Sequence, residues 1–124
     1  MSPWIWIALA LGAFLLLSLA RSRSRSPEGL ASIRQALDAG ALLVDVRTPA
    51  EFGAHRLPGA VNVPLQAISQ GQLKALGPKE RALVLYCRSG ARSAVAARTL
   101  RAAGYAQVYD LGAIGAWEQL PPKA

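Results

Sequence analysis

Hydrophobic positions fall into two regimes along the chain. Met1 to Ala20 (MSPWIWIALALGAFLLLSLA) is apolar on every face and carries no charged side chain. From Ser26 onward the apolar residues become periodic. Ser26-Pro27-Glu28 reads as a helix start: a capping residue, a proline in the first turn and an acid at the positive end of the dipole. Leu30, Ile33, Ala36 and Leu37 then recur at helical spacing until Gly40. The run 41–46 (ALLVDV) predicts a buried strand, and Thr48 to Phe52 a short capped helix. Val61 to Val63 predicts a short strand, and 65–76 one or two short helices ending at Gly77-Pro78. The run 82–87 (ALVLYC) predicts a second buried strand, 91–103 a helix stopped by Gly104, and 107–109 a last strand. Ile114 to Leu120 closes the chain as a helix before two prolines.

Strands separated by helices predict an α/β domain, its parallel sheet covered on both faces. Ligands of such sheets bind at the carboxyl ends of strands. Two strand ends carry chemistry: Asp45-Val46-Arg47 and Cys87-Arg88-Ser89-Gly90-Ala91-Arg92-Ser93.

The apolar beginning predicts an uncleaved transmembrane helix over residues 3–20. Eighteen residues rise about 27 Å, near the thickness of a bilayer core. Trp4 and Trp6 would sit at one boundary. A basic linker, RSRSRS at 21–26, follows. A cleaved signal peptide is the rival reading, because Ser18-Leu19-Ala20 resembles a cleavage site. A signal peptide, however, carries its positive charge before the apolar run, whereas here the arginines come after it. The expectation is therefore a single-pass membrane protein with lipid contacts through residues 3–25. Its C-terminal domain, residues 27–124, would be cytoplasmic, at the inner membrane if the source is bacterial.

Composition narrows the possibilities. With 52% apolar residues the chain is not disordered. One cysteine excludes an internal disulfide and multi-cysteine metal sites, and one histidine argues against a histidine-rich metal centre. The net charge of +7 drops to +4 once residues 1–26 are set aside, which does not demand nucleic acid as a partner.

The cysteine loop is the strongest chemical signal. Cys87 ends a buried strand just before a helix, where backbone N–H groups form a nest for an anion. Gly90 permits the positive φ of such a turn. The helix dipole, Arg88 and Arg92 favour thiolate over thiol, so the local chemistry points to attack on an anionic electrophile. That reading needs a thiolate open to solvent. The competing reading is an inert buried thiol, which has no use for a cationic loop. Asp45 reads as a loop-orienting carboxylate, because a carboxylate beside a sulfur anion would repel it. Arg47 is expected to pair with Glu51 or Asp45 in a weak exposed contact.

These residues resemble the rhodanese-type sulfurtransferases. CRSGARS after VLY is similar to that family's active-site loop, and DVRTPAEF (45–52) and LPGAVNVP (57–64) to its upstream signatures. Tyr109-Asp110-Leu111-Gly112 and Trp117 resemble its closing segment. The resemblance covers nearly all of 27–124. It implies a five-stranded parallel sheet and a double displacement. In that scheme Cys87 takes a sulfane sulfur from a small sulfur-containing anion such as thiosulfate, or from a persulfide donor. A thiol or cyanide then removes it. Amides of residues 88–92 would hold the persulfide and the donor's oxyanion. Arg88 and Arg92 would add charge, and Ser89 and Ser93 hydroxyl donors. No metal or organic cofactor is implied.

Two departures stand out. Arg56 replaces the usual histidine before Leu57-Pro58-Gly59, with His55 one place earlier; the usual histidine is mostly structural, so His55 is left out of the site. The segment from Asp110 to Ile114 is also one residue shorter than the common form. Related phosphatases and arsenate reductases place five residues between cysteine and arginine. Here there are four, Arg88 to Ala91, so that activity ranks below sulfur transfer. A non-catalytic scaffold of the same fold is the other alternative.

Overall fold

The computed structural model describes residues 2–22 and 26–123. Helix α1 runs Pro3–Ser22 and α2 Pro27–Asp38. Strand β1 (Leu42–Asp45), α3 (Pro49–Ala54), β2 (Val61–Asn62) and α4 (Leu65–Ser69) follow. A 3-10 turn at Lys74–Leu76 leads to β3 (Leu83–Cys87), α5 (Ala91–Ala102) and β4 (Val108–Ala113). A second 3-10 segment, Ile114–Gln119, comes last where a helix was expected.

The helix starts are set by side chains. Ser26 Oγ accepts from Gly29 N–H at 3.1 Å, capping α2 just before its proline. Thr48 and Glu51 form a reciprocal capping box on α3. The strands form one parallel sheet in the order β2-β1-β3-β4. The resemblance implied five strands, and the sheet has four. The described chain enters the domain directly through the capped helix α2, so no strand precedes β1. β4 makes up for part of the difference: it continues to Ala113, past the short run at 107–109 that the pattern predicts. Between Leu85 and Tyr86 its register slips. Asp110 pairs with Leu85 and Gly112 with Tyr86, leaving Leu111 as an extra, fully buried residue.

Alternation along the strands splits the core in two. Val44, Val46, Leu83, Leu85 and Cys87 pack with Ile68 of α4 and with Ala96, Ala97 and Leu100 of α5. Leu43, Val84, Tyr86 and Leu111 face Leu30 and Ile33 of α2 and Ala116 of the last turn. Every residue of β3 is buried, as a central parallel strand requires. Small alanines let α5 lie close over the sheet.

The membrane expectation is corrected. Among the described residues no helix is long and apolar enough to cross a membrane. The span over 3–20 therefore falls, and with it the single-pass placement, the lipid contacts and the orientation derived from them. Arg23 and Arg25 of the expected basic linker lie outside the described residues.

Candidate active site

The site forms where β3 gives way to α5. Cys87 closes a strand buried on both faces, and Gly90 caps the helix with φ 100° and ψ −14°, a left-handed conformation that glycine adopts without strain. This tight reversal turns two amides onto the sulfur. Cys87 Sγ accepts from Gly90 N–H at 3.0 Å and from Ser93 N–H at 3.4 Å. The Ser93 hydroxyl lies 3.6 Å from Sγ and donates to the Gly90 carbonyl at 3.1 Å. Ser93 is itself fully buried.

Arg88, Ser89 and Ala91 are exposed, and Gly90 is half-buried. Cys87 has no exposed surface, contrary to the open thiolate expected of a nucleophile. Its side chain points into the core beneath the loop, so Sγ forms the floor of the cradle and the loop its roof.

Arg92, in the first turn of α5, reaches Glu51. The contact is a two-pronged ion pair, Nη1 to Oε1 at 2.6 Å and Nη2 to Oε2 at 2.9 Å. The guanidinium holds the Glu51 carboxyl down at about 2, with help from Thr48 N–H and hydroxyl donors. The same carboxylate raises Arg92 above its ordinary value, opposed by burial. The sequence suggested Glu51 as a partner of Arg47, and its use by Arg92 was missed. The capping pattern Thr48-x-x-Glu51 was the available signal, since it fixes the carboxylate at the start of α3. The span of 41 residues to its cation left no mark in the sequence.

Arg47 pairs instead with Asp45, and the pair is buried rather than exposed. Asp45 accepts from the Arg47 backbone N–H at 2.8 Å, from Nε at 3.0 Å and from Nη2 at 2.6 Å. Arg47 Nη2 also donates to the carbonyl of His55, and the guanidinium lies 5.8 Å from the centroid of the Tyr86 ring. Hydrogen bonding to Asp45 raises Arg47, against burial. Asn62 then donates to the backbone carbonyls of Asp45 and Arg47 at 3.0 and 2.9 Å. Asp45 thus anchors Arg47, whose guanidinium reaches the end of α3, while Asn62 ties the backbone at the end of β1 to β2.

Beside the Arg92–Glu51 pair lies a groove of about 740 Å³ between the start of α3 and α4. Val46, Thr48, Pro49, Pro64, Leu65 and Arg92 are among the residues that line it. A smaller recess of about 290 Å³ involves His55, Leu57 and Trp117. His55 gives the site only its backbone carbonyl, through Arg47.

A parallel α/β domain that ends its central strand on a cysteine cradled by helix-start amides is the arrangement of the rhodanese-like domain. The profile of that family, described as "Rhodanese-like domain", matches residues 29–120, and the chain belongs to it. A "Sulfurtransferase" of Allochromatium vinosum is 44% identical over 87 residues, covering 69% of this chain and 79% of that one. "Thiosulfate sulfurtransferase PspE" of Escherichia coli is 30% identical over 71 residues, 57% of this chain and 68% of its own. Among solved structures, the human single-domain sulfurtransferase TSTD1 superposes with a TM-score of 0.61 at 28% identity, covering 73% of this chain and 93% of that one.

Proposed function

We propose that the protein is a sulfurtransferase that carries sulfane sulfur on Cys87. The observation that carries this reading is the convergence of the Gly90 and Ser93 amides on Sγ at the start of α5. Amide donors aimed at one point complement negative charge on a sulfur nucleophile and on the persulfide that replaces it. The Cys87 thiolate attacks the outer sulfur of a donor such as thiosulfate. The donor's S–S bond breaks, sulfite leaves with the bonding pair, and a Cys87 persulfide forms. A thiol or cyanide then attacks the outer sulfur, the Cys87–S bond breaks, and the electron pair returns to Cys87. Arg88, Ser89, Gly90, Ala91 and Arg92 bind the donor's anionic end in this scheme. Asp45, Arg47 and Ser93 hold the loops in place.

The full burial of Sγ favours a second reading, a non-catalytic module of the same fold. A mass measurement separates the two. Full-length protein exposed to thiosulfate is expected to gain about one sulfur atom (about 32 Da) on Cys87, and to lose it on adding thiol. Cys87→Ser is expected to gain nothing and to transfer no sulfur to cyanide. Sulfur transfer that survives Cys87→Ser would remove Cys87 as nucleophile. A Cys87 that no sulfane donor loads would leave the scaffold reading. Hydrolysis of aryl phosphates without sulfur transfer would point to the phosphatase chemistry instead.

A further inference from the structure

Arg92, in the helix start that cradles Cys87, is already engaged. Arg92 leaves the first turn of α5 and places both prongs of its guanidinium on Glu51, with N···O distances of 2.6 and 2.9 Å. Glu51 is not free to wander after it. Its Oε1 also accepts from Thr48 N–H at 3.2 Å and from the Thr48 hydroxyl at 3.1 Å, so the start of α3 fixes the carboxylate in place. Among the described residues Arg92 is the only charged one lining the large groove, so an anion in that groove meets a guanidinium whose charge Glu51 has already offset. The pair is reachable from solvent, with side chains 35% and 29% exposed. A pair so exposed is held weakly enough for a competing anion to exchange with it.

We propose that Glu51 is a positioning residue that sets donor preference: it withholds Arg92 from the cradle, and a donor binds through Arg92 only by displacing the Glu51 carboxylate. This rests on the sulfurtransferase reading of the site. The competition weighs most on donors of high negative charge, which gain most from Arg92 and suffer most from Glu51 nearby. Donors with less charge depend less on the exchange.

The test uses the full-length protein and Glu51→Gln. Glutamine can still accept from Thr48 N–H, so the cap on α3 is retained. Single-turnover loading of Cys87 is followed by mass, with thiosulfate as a dianionic donor and methanethiosulfonate as a monoanionic one. The latter gives the same Cys87 persulfide and releases methanesulfinate with the bonding pair. In Glu51→Gln the half-saturating thiosulfate concentration is expected to fall about fivefold, and that of methanethiosulfonate clearly less, with limiting rates nearly unchanged. The ratio of Cys87 alkylation rates by iodoacetate and by neutral iodoacetamide is expected to rise by a similar factor. Glu51→Ala, which loses the cap acceptor as well, is expected to raise that ratio too. In an Arg92→Gln background, Glu51→Gln is expected to shift both readouts by much less than in the wild type. Equal shifts for both donors, no shift, or the same shift without Arg92 would each overturn the proposal. If thiosulfate loads neither protein, the sulfurtransferase reading fails on its own, and the alkylation ratio still decides whether Glu51 governs Arg92.

Discussion

Tyr86 shows how much one side chain can tie together. It precedes Cys87 on β3 and points to the opposite face, where its hydroxyl accepts from Leu57 N–H at 3.1 Å and its ring lies beneath Arg47. Tyr86→Phe leaves that amide buried without an acceptor. The expected loss is about 1–3 kcal/mol of stability, read from urea unfolding, with Cys87 loading retained. Burial pushes the phenol up to about 12. The folded protein therefore keeps a proton that the unfolded chain loses near pH 10. Stability from this group is present below pH 10 and lost as pH rises towards 12. Ultraviolet titration of phenolate, wild type against Tyr86→Phe, checks the assignment. The continuous apolar run at 82–87 made a buried strand legible in the sequence, but the full burial of Cys87 at its end was not. Nor were the partners, because Leu57 meets Tyr86 only once the chain has folded back over 29 residues.

At the scale of elements, α3 joins local capping to a distant cation. Its capping box was readable from Thr48-x-x-Glu51, and so were the caps and stops of α2 and α5. The failures fall where long-range packing decides. The closing segment after β4 tightens into a 3-10 turn, and β4 itself gains residues from a register slip that no periodicity announces. Because Arg92 holds Glu51 at about 2, stabilisation from this pairing is complete above the ordinary 4.5 and lost as pH falls through about 2. The difference in thermal midpoint between wild type and Glu51→Gln is accordingly expected to be constant from neutral pH to about 4.5 and to shrink below it. A difference that persists unchanged at pH 2 would contradict the pairing.

Over the whole molecule, the Asp45–Arg47–Asn62 tie carries the most consequence for stability. Asp45 is fully buried, and Arg47 nearly so. Asp45→Ala strands a buried guanidinium and is expected to cost about 3–5 kcal/mol in urea unfolding, a large part of a small domain's reserve. The α/β class, the element order and the loop that holds Cys87 could all be read from hydrophobic pattern and motif. Strand number was legible there too, since the pattern marks four runs and the sheet has four strands, whereas the five came from the resemblance. The apolar first twenty residues misled because composition suggested a span that the described helix does not supply.

The extra residue in β4 has a further consequence, for which changes of chain length this domain tolerates. Gly112 and Ala113 pair with Tyr86 and Cys87 only because Leu111 takes up one surplus position. Deleting Leu111 would leave Asp110 and Gly112 adjacent opposite the adjacent Leu85 and Tyr86, so the bulge would close and the pairing run on without a step. The cost would be the loss of a fully buried leucine side chain from the core. Insertions and losses among homologues should therefore be found at this bulge as well as in the turn at 70–72, where the side chains are exposed.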